Sequence, residues 1–139
     1  MSHIGQTITA TGEVWGGEGD ASSYVNINLS EIFTILIQEA GRWCESYASD
    51  LLVDIDCMKK ALSNPNGWTE DKHYRKTEDG NDAVYFRLGF RQGGVDHREY
   101  IDYAMEHDTQ KYYYYRSIWD LWIEKDARGR VTATLRRTA

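Results

Sequence analysis

Carboxylates at helical spacing are the side chains of this sequence best suited to acid–base chemistry. Glu39, Asp50 and Asp54 fall in one stretch with helical periodicity, and the two aspartates stand one turn apart. Paired carboxylates can act as general acid and general base. Because no nucleophile or metal-ligand motif accompanies them, the sequence names no reaction and leaves open whether the protein is an enzyme.

The four histidines are scattered along the chain at His3, His73, His97 and His107. They form neither an HExxH motif nor the His/Cys pairs of a zinc site. Two of them adjoin an aspartate, but neighbouring side chains on a helix point about 100° apart and rarely chelate one ion. The sequence therefore predicts surface histidines, with no metal and no cofactor.

The run KYYYYRS, from Lys111 to Ser117, raises the question of nucleic-acid binding. Aromatic side chains beside cations can stack on the bases of a single strand, but they are equally typical of β-strands. Alternation predicts a strand from Tyr112 to Lys125 whose core face carries Tyr113, Tyr115, Ser117, Trp119, Leu121 and Ile123. The other face would then expose Tyr112, Tyr114 and Arg116.

Negative charge is concentrated in the first half of the chain. Residues 1–68 hold nine acidic and three basic residues, which accounts for the whole net charge of -6. A nucleic-acid-binding protein usually carries surplus Lys and Arg, so this balance disfavours nucleic acid as a partner. Asp50 and Asp54 repel each other mildly with no cation between them, and Glu39 and Trp43 share a flank. This acidic surface is predicted to meet a basic partner, and simple solvation of the helix is the alternative.

Three hairpins are expected to position these residues. The first joins TITATGEVW to YVNINL across a glycine-rich turn, and the second lies within KHYRKTEDGNDAVYFRLGFRQ and turns at Asp79-Gly80. The third pairs the strand from Tyr112 with RVTATLRR. Each run alternates apolar and polar residues, as a half-buried strand requires.

Two helices are predicted between and beside the hairpins. From Ser30 to Leu62 a continuous apolar stripe indicates one long helix, with a split into two as the alternative; its members are Phe33, Ile37, Ala40, Cys44, Tyr47, Leu51, Ile55, Met58 and Leu62. A short helix is predicted where Asp96 and Glu99 fit a capping box.

The elements together predict an α+β protein, residues 1–139 forming a single domain. A mostly antiparallel sheet of hairpins is predicted to pack on one long helix, with a kinked helix or two helices as the alternatives. A short helix completes the fold. No signal peptide and no apolar run long enough to span a bilayer is present in the sequence, so we expect a cytoplasmic protein without membrane contact.

The favoured function is a small acidic, non-enzymatic interaction module whose partner is a protein with a basic surface. Inhibition of a nucleic-acid-binding enzyme is one form of this role, by analogy only with anti-CRISPR and anti-restriction proteins of phages and mobile elements. The predicted partner-binding residues are Glu39, Trp43, Asp50, Asp54, Tyr112, Tyr114 and Arg116.

Two other functions are alternatives to the interaction module. One is a small enzyme with a carboxylate or histidine site at the junction of sheet and helix, and the other is a nucleic-acid binder that uses the aromatic strand face. A continuous acidic face without a deep pocket favours the interaction module, whereas a cleft with converging carboxylates or histidines favours the enzyme. The sequence says nothing of oligomeric state.

Overall fold

The computed structural model describes residues 2–16, 22–44, 47–107 and 115–139, without the side chains of 47–49. The strands are β1 Thr7–Trp15, β2 Tyr24–Asn26, β3 Tyr74–Lys76, β4 Asp82–Arg91, β5 Gly94–His97, β6 Tyr115–Lys125 and β7 Arg130–Arg137. The helices are α1 Ser30–Trp43, α2 Tyr47–Leu62 and α3 Arg98–His107, with a 3₁₀ helix at Pro65–Glu70. The predicted α+β class is confirmed. No helix in the described ranges is both long enough and apolar enough to cross a bilayer.

The seven strands form one curled antiparallel sheet in the order β2-β1-β7-β6-β4-β3, and β5 also pairs with β4. All three predicted hairpins are confirmed, as β1/β2, β3/β4 and β6/β7. Gly80 and Gly129 have positive φ angles of 83° and 80° at the turns of the second and third hairpins, a conformation that favours glycine. Pairing of β1 with β7 joins the first hairpin to the last.

The core lies between one face of this sheet and the layer of α1, α2 and the 3₁₀ helix. The first helix buries Ile32, Leu36, Glu39 and Ala40, whereas Phe33 is half-buried and Ile37 is exposed. Ala40 is buried as the predicted stripe requires, but the stripe was wrong at Ile37. Glu39 is buried instead, where it accepts hydrogen bonds from Ser117 and Trp119 of β6. In α2 the predicted Leu51, Ile55 and Met58 are buried.

Two helices replace the single long helix that the stripe favoured. The backbone of Cys44 is extended, with φ -106° and ψ 140°, and its N–H donates to the carbonyl of Ala40. Its thiol donates to the carbonyl of Gly94 at 3.2 Å. The first helix packs on β1, β4 and β5, whereas α2 packs on β5, β2 and the 3₁₀ helix, and the two helices also contact each other.

One position of the predicted core face of β6 was wrong because of a β-bulge. Ser117, Trp119, Leu121 and Ile123 are buried on the core side as predicted. The register between β4 and β6 shifts after Phe90, however, so Tyr115 pairs with Arg91 and lies on the opposite face. There its hydroxyl donates to Asp96 Oδ2 at 2.7 Å.

The third helix begins one residue later than the capping box predicted, because Gly94–His97 adds the strand β5 to the edge of β4. Asp96 does not cap the helix; its carboxylate accepts hydrogen bonds from Arg91 and Tyr115. Ile101 of α3 is buried beside Gly89 of β4 and therefore covers the outer face of the sheet. The start of α3 is therefore set by the pairing of β5 with β4 and not by a side-chain cap at Asp96.

Candidate functional site

A short gap along the edge of β4 opens into a small cavity. Strand β3 pairs with Asp82–Val84 and β5 pairs with Leu88–Arg91, so residues 85–87 lie between two edge strands. The Tyr85 N–H donates to the carbonyl of His73 within this gap. The cavity has a volume of about 110 Å³. Its lining comes from α2, β3, β4, β5 and α3, so it lies at the junction of sheet and helices.

Asp54 and His97 form the polar centre of this cavity. The Asp54 side chain, on α2, is 3% exposed, and its Oδ1 lies 2.8 Å from Nδ1 of His97, whose side chain is 45% exposed. With the proton on Nδ1, the imidazole donates to the carboxylate and Nε2 remains an acceptor. Nε2 makes no hydrogen bond to any described residue. The pair therefore combines a dry carboxylate with a solvent-accessible base.

Burial raises the pKa of Asp54 to about 6 because it disfavours the charged form. His97 and Lys72 oppose this by stabilising the carboxylate, whereas the charge of Asp50 adds to the increase. Asp54 is therefore mostly ionised at pH 7 and becomes protonated a little below it. Its charge changes within the range in which imidazoles titrate.

A second imidazole, that of His73, lines the same cavity. Its Nδ1 lies 3.1 Å from Asp71 Oδ1, and its ring stacks on Phe86 with centroids 4.3 Å apart. Burial lowers the pKa of His73, although the hydrogen bond and charge of Asp71 act in the opposite direction. The cavity thus contains two histidines, each oriented by an aspartate.

Arginine side chains form another wall. Arg98 donates from Nε to Asp102 at 3.1 Å, and its guanidinium lies 5.0 Å from the ring centroid of Tyr85. Arg87 donates to both Asp102 and Asp120, and the Tyr85 hydroxyl donates to Asp120 at 2.8 Å. These contacts hold both guanidinium groups in fixed positions beside the cavity.

Two buried polar atoms of the lining have no hydrogen-bond partner among the described residues. They are Asp54 Oδ2, an acceptor, and Arg98 Nη1, a donor. Leaving a buried polar atom unpaired costs about 1–3 kcal/mol. Both atoms are shielded from solvent, so their unmet hydrogen bonds are a cost to the fold at this end of the sheet.

Among the described residues that were predicted to bind a partner, Glu39 and Asp54 do not lie on an exposed surface. Glu39 is buried and accepts hydrogen bonds from Ser117, Trp119 and Ser2, and Asp54 lies in the cavity. Neither carboxylate is on the exposed helix surface where the sequence prediction placed it, because each has hydrogen-bond donors inside the fold.

The other predicted positions have varied surroundings. Asp50 is half-buried beside the backbone of β5, where its Oδ2 would lie 2.8 Å from a Cβ added to Gly94. Trp43 is half-buried under the guanidinium of Arg42, and Arg116 is exposed on β6. Tyr112 and Tyr114 lie outside the described residues.

The acidic surface predicted for residues 1–68 is sparse in the described part of the chain. Its exposed acids are Glu13, Glu31 and Asp56, which belong to β1, α1 and α2. Lys59 and Lys60 are also exposed on α2 and dilute the negative charge there.

Sequence reasoning missed His97 as a partner for Asp54. One sequence signal could have shown that Asp54 is buried: it lies three residues after Leu51 and four before Met58, on the apolar face of α2. An aspartate on a buried face requires a donor from elsewhere in the fold. Its partner, 43 residues later in the chain, could not be identified without the register of β5.

No group of three His, Cys, Asp or Glu side chains in the described ranges is arranged to hold a metal ion. No protein-family model, curated protein or solved structure matches this chain. Its function must therefore be inferred from the chemistry of its own residues.

Proposed function

We propose that the cavity is the acid–base site of a small enzyme and that His97 is its general base. The 2.8 Å contact between Asp54 Oδ1 and His97 Nδ1 carries this proposal. A buried carboxylate on Nδ1 sets the tautomer and orientation of the ring, and it stabilises the imidazolium that forms when Nε2 accepts a proton. Asp54 is thus the positioning residue for His97.

The surrounding cations favour a substrate with negative charge. Lys72, Arg75, Arg87 and Arg98 line the cavity, whereas Asp54 and Glu99 are its acidic lining residues. This local excess of cations stands out in a protein whose net charge is -6. Cations held beside a substrate also stabilise negative charge that develops during proton abstraction.

The substrate must be small. The cavity volume of about 110 Å³ is below the roughly 300–1,000 Å³ of pockets that enclose drug-sized ligands, which favours a molecule smaller than a nucleotide or a peptide. The partial exposure of His97 provides access from solvent.

Modification of histidines by diethylpyrocarbonate tests the proposal, since the reagent acylates neutral, accessible imidazole nitrogens. His107 is the control, because it is exposed and makes no ion pair with a described residue. Its Nδ1 lies 3.1 Å from the backbone carbonyl of Tyr103, and its ring stacks on the ring of the same residue. At pH 7.5 we expect His97 to react severalfold faster than His107, and Asp54→Leu to remove this advantage. Equal rates for the two histidines, unchanged by Asp54→Leu, would contradict the assignment.

A second candidate function, the interaction module, is supported by the outer surface of α3. Tyr100, Tyr103 and Met105 are 67%, 57% and 42% exposed, and Glu99 and Glu106 are exposed beside them. Exposed tyrosines commonly anchor protein interfaces, and acidic neighbours complement a basic partner. The proposed partner is a protein with a basic surface. Inhibition of a nucleic-acid-binding enzyme is one form of this interaction.

Affinity capture with the double variant Tyr100→Ser, Tyr103→Ser tests this second function. The matched control is Ile37→Ser with Leu52→Ser, which removes two exposed apolar side chains from α1 and α2. A basic partner that is lost with the tyrosine variant and at high salt, but kept by the control, would support the surface. Retention by both variants would contradict it.

A further inference from the structure

We infer that the open edge of β1 is the surface through which two copies of this chain associate. In the sheet, β1 lies between β2 and β7, but β2 pairs only with Glu13–Trp15, whereas β7 pairs with all of Thr7–Glu13. Among the described residues, the segment 7–11 therefore has one paired edge and one open edge. This edge lies three strands away from β4, so the inference is independent of the cavity and its proposed chemistry.

Three threonines present their backbone groups at the open edge. At one end of the pairing with β7, the Val14 N–H donates to the carbonyl of Gly129. At the other end, the carbonyl of Gln6 accepts from the N–H of Arg137, and no register shift lies between these two bonds. Since every second residue of an antiparallel pair forms the hydrogen bonds, the even-numbered residues of β1 bond to β7. The residues whose N–H and C=O groups point to the open edge are Thr7, Thr9 and Thr11.

The open edge carries none of the features that commonly prevent strand pairing. Exposed edge strands are usually protected by lysine, by proline or by a β-bulge. Residues 7–12 contain no charged residue and no proline, and β1 pairs with β7 without a bulge. Thr7, Thr9 and Thr11 are exposed, and threonine is a common strand residue. The edge is therefore suited to pairing with another strand.

The sequence of this edge fits a second copy of itself. The segment TITAT, residues 7–11, reads nearly the same in both directions. Antiparallel pairing about its centre places Thr9 opposite Thr9 and Thr7 opposite Thr11. Threonine pairs across strands are favourable, and no like charges face each other. On the side of the sheet that faces the core, half-buried Ile8 lies opposite half-buried Ala10. A two-fold axis at Thr9 then relates the copies, as in most homodimers.

This register also forms the largest number of backbone hydrogen bonds. Each chain contributes three N–H and three C=O groups, which pairing about Thr9 joins in about six hydrogen bonds. A register shifted towards β2 would place Thr7 opposite Glu13, which already pairs with Asn26. A register shifted the other way would extend beyond the start of β1. Because the contact is small, the dimer should dissociate on dilution.

Hydrogen exchange of the backbone amides, measured at low and high protein concentration, tests the inferred surface. Sedimentation velocity shows at which concentration the dimer predominates. In the monomer, the amides of Ile8 and Ala10 should be protected by β7, and those of Thr7, Thr9 and Thr11 should exchange freely. In the dimer, exchange of the threonine amides should slow roughly tenfold or more, while exchange of the other two changes little.

Charges introduced at Thr9 test the register. Thr9→Lys places two lysines opposite each other and should weaken dimerisation roughly fivefold, and Thr9→Glu should have a similar effect. A mixture of the two variants should form a heterodimer, because the facing charges are then opposite. The control is Thr134→Lys, which adds the same charge on β7 beside Thr9 but away from the open edge, and it should leave dimerisation unchanged.

A protein that stays monomeric at its highest soluble concentration would overturn the inference. Threonine amides that are protected in the monomer would also overturn it, since the edge would then be covered within one chain. A dimer whose threonine amides exchange freely, or one that Thr9→Lys leaves intact, would place the interface elsewhere and contradict the inferred surface. Slowed exchange on dimerisation, together with a heterodimer in the mixture, would support it.

Discussion

Asp54 of α2 and His97 of β5 are joined at 2.8 Å although 43 residues separate them in the sequence. The contact fixes one end of β5 to α2 and places an aspartate in a nearly dry position. Burial of an ionised carboxylate is costly, and Asp54 has one oxygen without a partner among the described residues. A contact of this kind is a poor source of stability and a good way to orient an imidazole.

Replacing Asp54 by Asn should show that its charge destabilises the fold. Burial raises its pKa from 3.8 to about 6, so the folded protein holds this proton more tightly than the unfolded chain. Its favourable contribution is complete below pH 3.8 and is lost as pH rises through 6. The loss amounts to roughly 3 kcal/mol.

Urea unfolding at pH 4 and pH 7.5 measures this effect. Relative to the native chain, Asp54→Asn should gain stability at the higher pH, while Asp56→Asn, on the exposed side of α2, should change little at either pH. If Asp54→Asn destabilises the protein equally at both values, the contact is a structural ion pair.

Glu39 should behave as a structural residue and not as a partner-binding one. Its carboxylate accepts 2.6 Å and 3.2 Å hydrogen bonds from Ser117 and Trp119 in the core. Glu39→Leu would leave the Ser117 hydroxyl without its acceptor and Trp119 Nε1 with only its 3.1 Å bond to Ser117 Oγ, which should cost about 1–3 kcal/mol. Gln38→Ala, at the exposed neighbouring position, serves as control in denaturant unfolding. A Glu39→Leu protein of native stability would restore the surface role predicted from sequence.

The same carboxylate should contribute to acid sensitivity. Burial opposes its ionisation, but the hydrogen bonds from Ser117, Ser2 and Trp119, with the charge of Arg137, outweigh burial and lower the pKa of Glu39 below 4.5. This stabilisation is present above pH 4.5 and is lost as pH falls through the folded-state pKa. Stability of Glu39→Gln should therefore depend less on pH between 5 and 3 than that of the native chain, and equal slopes would argue against the assignment.

Gly89 should tolerate no side chain. A Cβ at this position would lie 2.6 Å from Tyr115 Cδ1 and 2.9 Å from Ile101 Cδ1. Gly89→Ala should therefore cost about 1–3 kcal/mol through overpacking, and Tyr115→Leu in the same chain should recover part of the loss. Gly41, around which there is open space, provides the control for an added methyl group. An unchanged melting temperature in Gly89→Ala would contradict the bulge that places Tyr115 over β4.

Features set by neighbouring residues could be predicted from the sequence. The three hairpins follow from alternation and turn residues such as Gly80, and Leu51, Ile55 and Met58 of α2 follow from helical periodicity. Both signals act within a few residues of the chain, so they need no knowledge of distant partners.

Features set by distant partners could not be predicted. Glu39 is buried because Ser117, 78 residues away, donates to it, whereas periodicity assigned polar residues to solvent. The bulge at Tyr115 and the start of α3 at Arg98 depend on pairing with β4. The site depends on the register of β5, which brings His97 to Asp54.

The tautomer of His97 tests the central claim most directly. Long-range ¹H–¹⁵N spectra of the imidazole rings at pH 7.5 distinguish a proton on Nδ1 from one on Nε2. The Asp54 contact predicts that the neutral imidazole of His97 carries its proton on Nδ1 and that Asp54→Leu moves this proton to Nε2, while the spectrum of His107 is the same in both proteins. A His97 protonated on Nε2 in the native protein, or unaffected by Asp54→Leu, would contradict the assignment of an oriented general base.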